Sequence, residues 1–155
     1  KKTVITGENG SGKSTFIKLL CGLLKNYSGS LKIGGTELSK AAPESWRNQF
    51  AYASQEPYLF EGSVFENVHL GNLSASDDEV KALMEDIGIV YLADRVVSMR
   101  GNDLSGGEKQ KISIARAMLK DTPFLFLDEP SNNLDDETKE WLRSFILNTD
   151  MRRSS

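Results

Sequence analysis

Cysteine and histidine are almost absent: the 155 residues hold one of each, Cys21 and His69. A lone thiol cannot close an internal disulfide, and two such side chains cannot build a four-ligand zinc cage. Any Ser–His or Cys–His mechanism would have to run through His69. An excess of positive charge is also lacking. Nineteen Lys+Arg against 22 Asp+Glu leave a net charge of −3 with no basic run, which argues against a nucleic-acid partner. No apolar stretch approaches the roughly 20 residues that a membrane-spanning helix needs. What is present, 39% apolar and 26% charged residues, is an ordinary globular composition, too apolar for disorder. A chain of this length buries roughly 68–70% of its unfolded surface, enough for one core. The first residue is Lys1 rather than Met, so the sequence is expected to be cut from something longer.

The apolar pattern alternates between two periods. Thr3 to Thr6 is a β-branched run leading into a Gly-rich segment, after which Phe16, Ile17, Leu20, Leu23 and Leu24 recur at helical spacing. Ser30 to Ile33, Gly34-Gly35 and Thr36 to Leu38 read as a small hairpin. A second apolar run, Phe50 to Ala53, ends at Ser54-Gln55. Ser76-Asp77-Asp78-Glu79 is a capping-box pattern, followed by Val80, Leu83, Met84 and Ile87 on one face and by Gly88 as a stop. A further helix is expected from Ser105 or Gly106 through Ile112, Ala115 and Leu119. Pro123 introduces Phe124 to Leu127, a continuous apolar run of the kind buried on both faces of a parallel sheet, ending at Asp128. A last amphipathic helix uses Leu134, Trp141, Leu142, Phe145 and Ile146. Strands alternating with helices predict an α/β domain with a helical insert after Gln55.

Gly7-Glu8-Asn9-Gly10-Ser11-Gly12-Lys13-Ser14-Thr15 fits GxxxxGK[ST] between an expected strand and an expected helix. Glycines let successive N–H groups turn inward onto a phosphate, and the helix N-terminus adds partial positive charge. In that setting Lys13 would reach the β- and γ-phosphates, and the Ser14 hydroxyl would ligate Mg²⁺. Asp128 closes its strand at the C-terminal end, the edge where open parallel sheets bind ligands, and could hold the same Mg²⁺. Glu129 carries a second carboxylate toward that crevice, where it could take a proton from an attacking water.

Leu104-Ser105-Gly106-Gly107-Glu108-Lys109-Gln110 separates the nucleotidase classes. Ser105 and two glycines at a helix start make a second anion-binding N-terminus. The segment resembles the LSGGQ signature of the ATP-binding-cassette (ABC) ATPases, with Glu108 in place of the Gln. Asp103 to Gly106 also fits the DxxG of GTPases, but no NKxD motif accompanies it, because Asn132-Asn133-Leu134-Asp135 lacks the Lys. Other positions resemble the family in order. Gln55 stands where the Q-loop Gln does and is a candidate Mg²⁺ and water contact. Ser131 to Asp135 occupies the D-loop, with Asn132-Asn133 departing from the commoner Ser-Ala. Tyr58 to Val68 is similar to the stretch after the Q-loop in exporter-type cassettes, and an exposed Tyr58, Leu59 and Phe60 would suit a groove for a membrane-domain helix. Met99 stands where exporters usually have an acidic residue.

The resemblance implies a P-loop NTPase fold: a parallel sheet core flanked by helices, formed by residues 1–57 and 120–155, with a helical signature subdomain over about 58–119. It implies ATP and Mg²⁺ as ligands, with Gly7 to Thr15 and Ser105 to Gly107 binding nucleotide, Lys13, Gln55 and Glu129 catalytic, and Ser14, Gln55 and Asp128 at the metal. It implies a head-to-tail dimer in which Ser105 to Gly107 completes a partner's site, and a transmembrane partner at the cytoplasmic face of a membrane. The family's switch His and opening strands are expected outside this stretch, leaving it weakly active. A soluble cassette ATPase and a nucleotide-binding module with little turnover remain open as alternatives. His69, Cys21, Trp46 and Trp141 carry bland readings: surface for the first, packing for the others.

Overall fold

The computed structural model describes residues 3–8, 10–98, 103–132 and 134–148. Asn9, Met99 and Asn133, each singled out above, lie outside the described residues. Helix α1 runs Lys13–Leu20 and the hairpin pairs β1 (Lys32–Ile33) with β2 (Thr36–Glu37). Helix α2 (Pro43–Arg47) leads into β3 (Phe50–Ala53). The middle holds β4 (Gly62–Ser63), α3 (Val64–His69), α4 (Asp77–Ile87) and β5 (Val96–Val97). Then follow α5 (Gly106–Leu119), β6 (Phe124–Leu127) and α6 (Asp136–Asn148).

The central pairing is β3 beside β6, parallel and in register from Phe50 opposite Phe124 to Ala53 opposite Leu127. Parallel strands need a long crossover, and here the helical segment from β4 to α5 supplies it. Helix α5 joins the parts. Ile112 and Ala115 pack with Leu59, Val64, Val68, Val80, Met84 and Ile87 in one cluster. Ile114 and Ala117, on its other side, pack with Ala51, Ala53, Leu134 and Leu142. Fully buried aliphatic side chains of this size are each worth about 1.5–3 kcal/mol of transfer free energy. A third cluster, Ile17, Cys21, Trp46 and Phe50, docks α1 against β3.

Helix ends follow local chemistry. Ser63, Ser76 and Ser105 each form a two-way capping box, with Glu66, Glu79 and Glu108 respectively. Only the Ser76 box was legible in advance. In all of them the carboxylate takes an N–H that the first helical turn cannot satisfy. Those bonds hold Glu66 and Glu79 below the ordinary carboxylate pKa of 4.5.

Four expectations are corrected. Thr3 to Thr6 forms no strand and is exposed, because the described residues offer it neither a ladder partner nor a covering face. Helix α1 ends at Leu20, before Leu23 and Leu24: Gly22 takes φ 70°, Leu23 N–H closes back on the Lys18 carbonyl, and Trp46 Nε1–H caps the Leu20 carbonyl at 2.8 Å. Strand β6 is not buried on both faces; Phe124 is 44% exposed. In the 58–68 stretch, Tyr58 and Phe60 are exposed as expected, but Leu59 is wholly buried in the helical cluster, and residues from Val64 onward form α3. Cys21 and Trp46 are buried, as packing residues should be, and burial raises the Cys21 thiol to about 11. His69 is half-buried at the end of α3, with Nε2 3.0 Å from the Ala75 carbonyl.

Candidate functional site

The site is assembled where the C-terminal end of the β3–β6 pair meets the start of α1. Asp128 extends the ladder, its N–H donating to the Ala53 carbonyl at 3.0 Å, so its side chain emerges at the sheet edge although it is only 3% exposed. Ser14 Oγ donates to Asp128 Oδ1 at 2.9 Å, and Tyr52 OH donates to Oδ2 at 2.8 Å. Both carboxylate oxygens are therefore fixed. Burial, then the bond to Asp128 and its charge, push the Tyr52 phenol above its ordinary pKa of 10.0.

The loop before α1 curls as its composition demands. Gly12 is the N-cap at φ 90°, a left-handed conformation that residues with a Cβ rarely adopt. The first turn of α1 contains no acidic residue, so no side-chain carboxylate of its own answers the partial positive charge of that N-terminus. Lys13 Nζ turns back to donate to the carbonyls of Gly7 at 2.9 Å and Glu8 at 3.0 Å, and it lies 3.4 Å from Glu129 Oε1. Glu129 sits at φ 43°, unusual for a residue with a side chain, and its Oε2 accepts from Asn132 Nδ2 at 2.5 Å.

Direct contacts thus join Lys13, Ser14, Asp128 and Glu129, with the backbone of Gly7 and Glu8. Gln55 and Thr15 are exposed and stand outside that set, Gln55 just beyond the end of β3. Gly10 and Ser11 are exposed loop residues, and Ser11 N–H closes a turn on the Glu8 carbonyl. The signature residues lie at the N-terminus of α5. Ser105 caps it, Gly106 is exposed and Gly107 is buried, where a Cβ would collide with the Thr138 hydroxyl of α6. Asp135 Oδ1 accepts the Thr138 N–H at 2.7 Å, which holds Asp135 below its ordinary pKa of 3.8.

For a divalent cation the donor set fits Mg²⁺. Ser14 Oγ and Asp128 Oδ1 are adjacent hard oxygens, and Mg²⁺ ordinarily takes one or two protein oxygens and fills the rest with phosphate and water. No group of three or more His, Cys, Asp or Glu able to hold a metal occurs among the described residues.

Two features escaped sequence reasoning. Tyr52 reaches Asp128 only because β3 and β6 are parallel neighbours in this register, which no local pattern encodes. Arg116, on α5, donates from Nε to the Asn67 carbonyl at 2.7 Å, from Nη2 to Asn67 Oδ1 at 2.8 Å and from Nη1 to the Tyr58 carbonyl at 2.8 Å, pinning the 58–67 segment to α5.

A parallel strand pair ending in an acidic residue, beside a glycine loop and a helix whose Ser bonds that acid and whose Lys faces the glutamate after it, defines a P-loop nucleotidase domain. Residues 1–132 match the family model described as ABC transporter, and the chain belongs to that family. It is 40% identical to the mycobactin import ATP-binding/permease protein IrtB of Mycolicibacterium thermoresistibile, over 86% of this chain and 24% of that protein. It is 36% identical to the human mitochondrial iron-sulfur clusters transporter ABCB7, over 100% of this chain and 22% of that protein. A solved bacterial Atm1-family ABC exporter with ATP bound superposes with a TM-score of 0.83 at 31% identity, covering 92% of this chain and 26% of that one. The chain spans about a quarter of the length of these relatives.

Proposed function

We propose that this chain is the ATP-binding and ATP-hydrolysing domain of an exporter-type ABC transporter. The observation that carries this reading is the contact set Lys13, Ser14, Asp128 and Glu129, contributed by a loop, a helix start and a strand end. ATP as the nucleotide is supported by the likeness to the Atm1-family exporter solved with ATP bound. On this reading the core comprises residues 1–57 and 120–155 and the signature subdomain about 58–119. A second cassette binds head to tail, bringing its Ser105, Gly106 and Gly107 over the nucleotide held by Gly7 to Thr15. A transmembrane domain holds the chain at the cytoplasmic face of a membrane, and nucleic acid plays no part.

Lys13 is the moving charge. Its ammonium now satisfies the Gly7 and Glu8 carbonyls and faces Glu129. Phosphate oxygens of ATP are stronger partners than carbonyls, so Lys13 turns to the β- and γ-phosphates. Glu129 Oε1 then loses its cation and becomes a free acceptor. A water O–H bond breaks, its proton passes to Glu129, the water oxygen bonds to the γ-phosphorus, and the bridging oxygen departs with ADP. Mg²⁺, held by Ser14 and Asp128 with Gln55 as a further candidate, supplies positive charge that offsets the phosphate oxygens when bound.

Lys13→Ala is expected to abolish the thermal stabilisation given by MgATP, which for an intact site at 100 times its dissociation constant is about 2.7 kcal/mol. Glu129→Gln is expected to keep that stabilisation and to lose on the order of 10²–10⁴ in turnover in the full-length protein. Stabilisation that survives Lys13→Ala, or turnover unchanged in Glu129→Gln, would overturn the respective role. The 155-residue chain by itself is expected to hydrolyse ATP weakly.

A further inference from the structure

We propose that Asn132 is a positioning residue that selects which oxygen of Glu129 accepts the proton, an inference that rests on reading Glu129 as the group that activates water. The Asn132 amide Nδ2 donates to Glu129 Oε2 at 2.5 Å, and its backbone N–H donates to the Glu129 carbonyl at 3.1 Å. Both bonds close the same turn, Glu129-Pro130-Ser131-Asn132. That turn starts from a left-handed Glu129 at φ 43°, a conformation that persists in a residue with a side chain only when its surroundings fix it. Asn132 is exposed, so its side chain is not recruited to fill a core.

The two oxygens of Glu129 have different partners, and the partners differ in permanence. Oε1 faces Lys13, a cation that bound phosphate would draw away. Oε2 faces an amide four positions from Asp128, held in the same strand-end turn by its own backbone bond to Glu129. When Lys13 leaves, Oε1 alone is released and the carboxylate cannot rotate freely. A neutral amide does this without cancelling the negative charge, whereas a second cation would weaken the base. The Ser of the commoner Ser-Ala form carries a shorter hydroxyl that would not reach as far. A pre-oriented acceptor lowers the entropy cost of the proton transfer and leaves nucleotide affinity untouched.

The test is steady-state ATP hydrolysis by the full-length protein carrying Asn132→Ala or Asn132→Gln, each alone and combined with Glu129→Gln. Asn132→Ala is expected to lower kcat about tenfold, equivalent to about 1.4 kcal/mol, with KM for ATP within about twofold. Asn132→Gln, which keeps an amide donor on a longer arm, should recover part of that loss. In the Glu129→Gln background Asn132→Ala should change the residual rate by less than about twofold, because the group it acts through is gone. An unchanged kcat, a change confined to KM, or an equal tenfold loss in both backgrounds would overturn the positioning role. Full turnover by Glu129→Gln alone would remove the base reading and this proposal together; loss of turnover there with Asn132→Ala indifferent in the native background removes this proposal alone.

Discussion

Asn67 offers a quantitative check on what holds the segment after β3 in place. It is 1% exposed, accepts from Phe60 N–H at 2.9 Å and from Arg116 Nη2 at 2.8 Å, and donates to the carbonyls of Phe60 at 2.9 Å and Ser63 at 3.0 Å. Asn67→Ala removes all of these at once. A buried polar group left without its partner costs about 1–3 kcal/mol. Phe60 and Ser63 are close enough to solvent for water to recover part of that, and Arg116 keeps its bonds to two carbonyls, so the net loss is about 3 kcal/mol. For a domain of this size each kcal/mol lowers Tm by about 2–4 °C, so the melting temperature should fall by about 6–12 °C. Thermal unfolding followed by far-ultraviolet circular dichroism reads this directly. Arg116→Met in the Asn67→Ala background should cost less than it does alone, since the two residues share a bond. A fall of less than about 2 °C, or strict additivity of the pair, would mean that the apolar cluster around Leu59 and Val68 holds this segment without the polar network.

Other consequences can be checked separately. Gly107→Ala puts a methyl against Thr138 and should destabilise by about 1–3 kcal/mol, an effect that Thr138→Ala should relieve; no relief would place the strain elsewhere. Tyr52→Phe removes one of the two donors that fix Asp128 and should raise the half-saturating Mg²⁺ for ATP hydrolysis about tenfold, as supporting hydrogen bonds to metal ligands typically do; an unchanged Mg²⁺ titration would reduce Tyr52 to packing. Glu79 has its pKa lowered by the N–H and hydroxyl of Ser76, so its contribution to stability is complete above the ordinary 4.5 and is lost as pH falls through the lowered value. Glu79→Gln keeps the acceptor but does not titrate, and should flatten the acid limb of the Tm–pH curve; an identical limb would exclude this cap as a source.

The parts of the fold visible in the sequence were those written locally. Ser76 with Glu79 and Gly88 bracket α4, Gly34-Gly35 turns the hairpin, and Phe50–Ala53 and Phe124–Leu127 are short apolar runs that became β3 and β6. Lys13 and Ser14 could be picked out as candidates from spacing because the glycine loop and the start of α1 are contiguous. Longer-range geometry was not legible. That Glu129 would lean on Lys13, or that Asp128 would take a phenol from Tyr52, depends on which elements are neighbours. Thr3 to Thr6 shows the converse: β-branched composition does not make a strand where no neighbour among the described residues presents a ladder. The expected end of α1 failed because Leu23 and Leu24 keep helical spacing past a Gly22 that the backbone uses to turn.

The bond between Ser14 and Asp128 spans 114 residues of chain, which gives the site a calendar during synthesis. At about 5–20 residues per second the ribosome adds Asp128 about 6–23 s after Ser14. Throughout that interval the glycine loop exists without its acidic counterpart. On the proposed reading, the lysine meant for phosphate is therefore made before either Asp128 or Glu129, so the residues that would hold nucleotide precede in time those that would spend it.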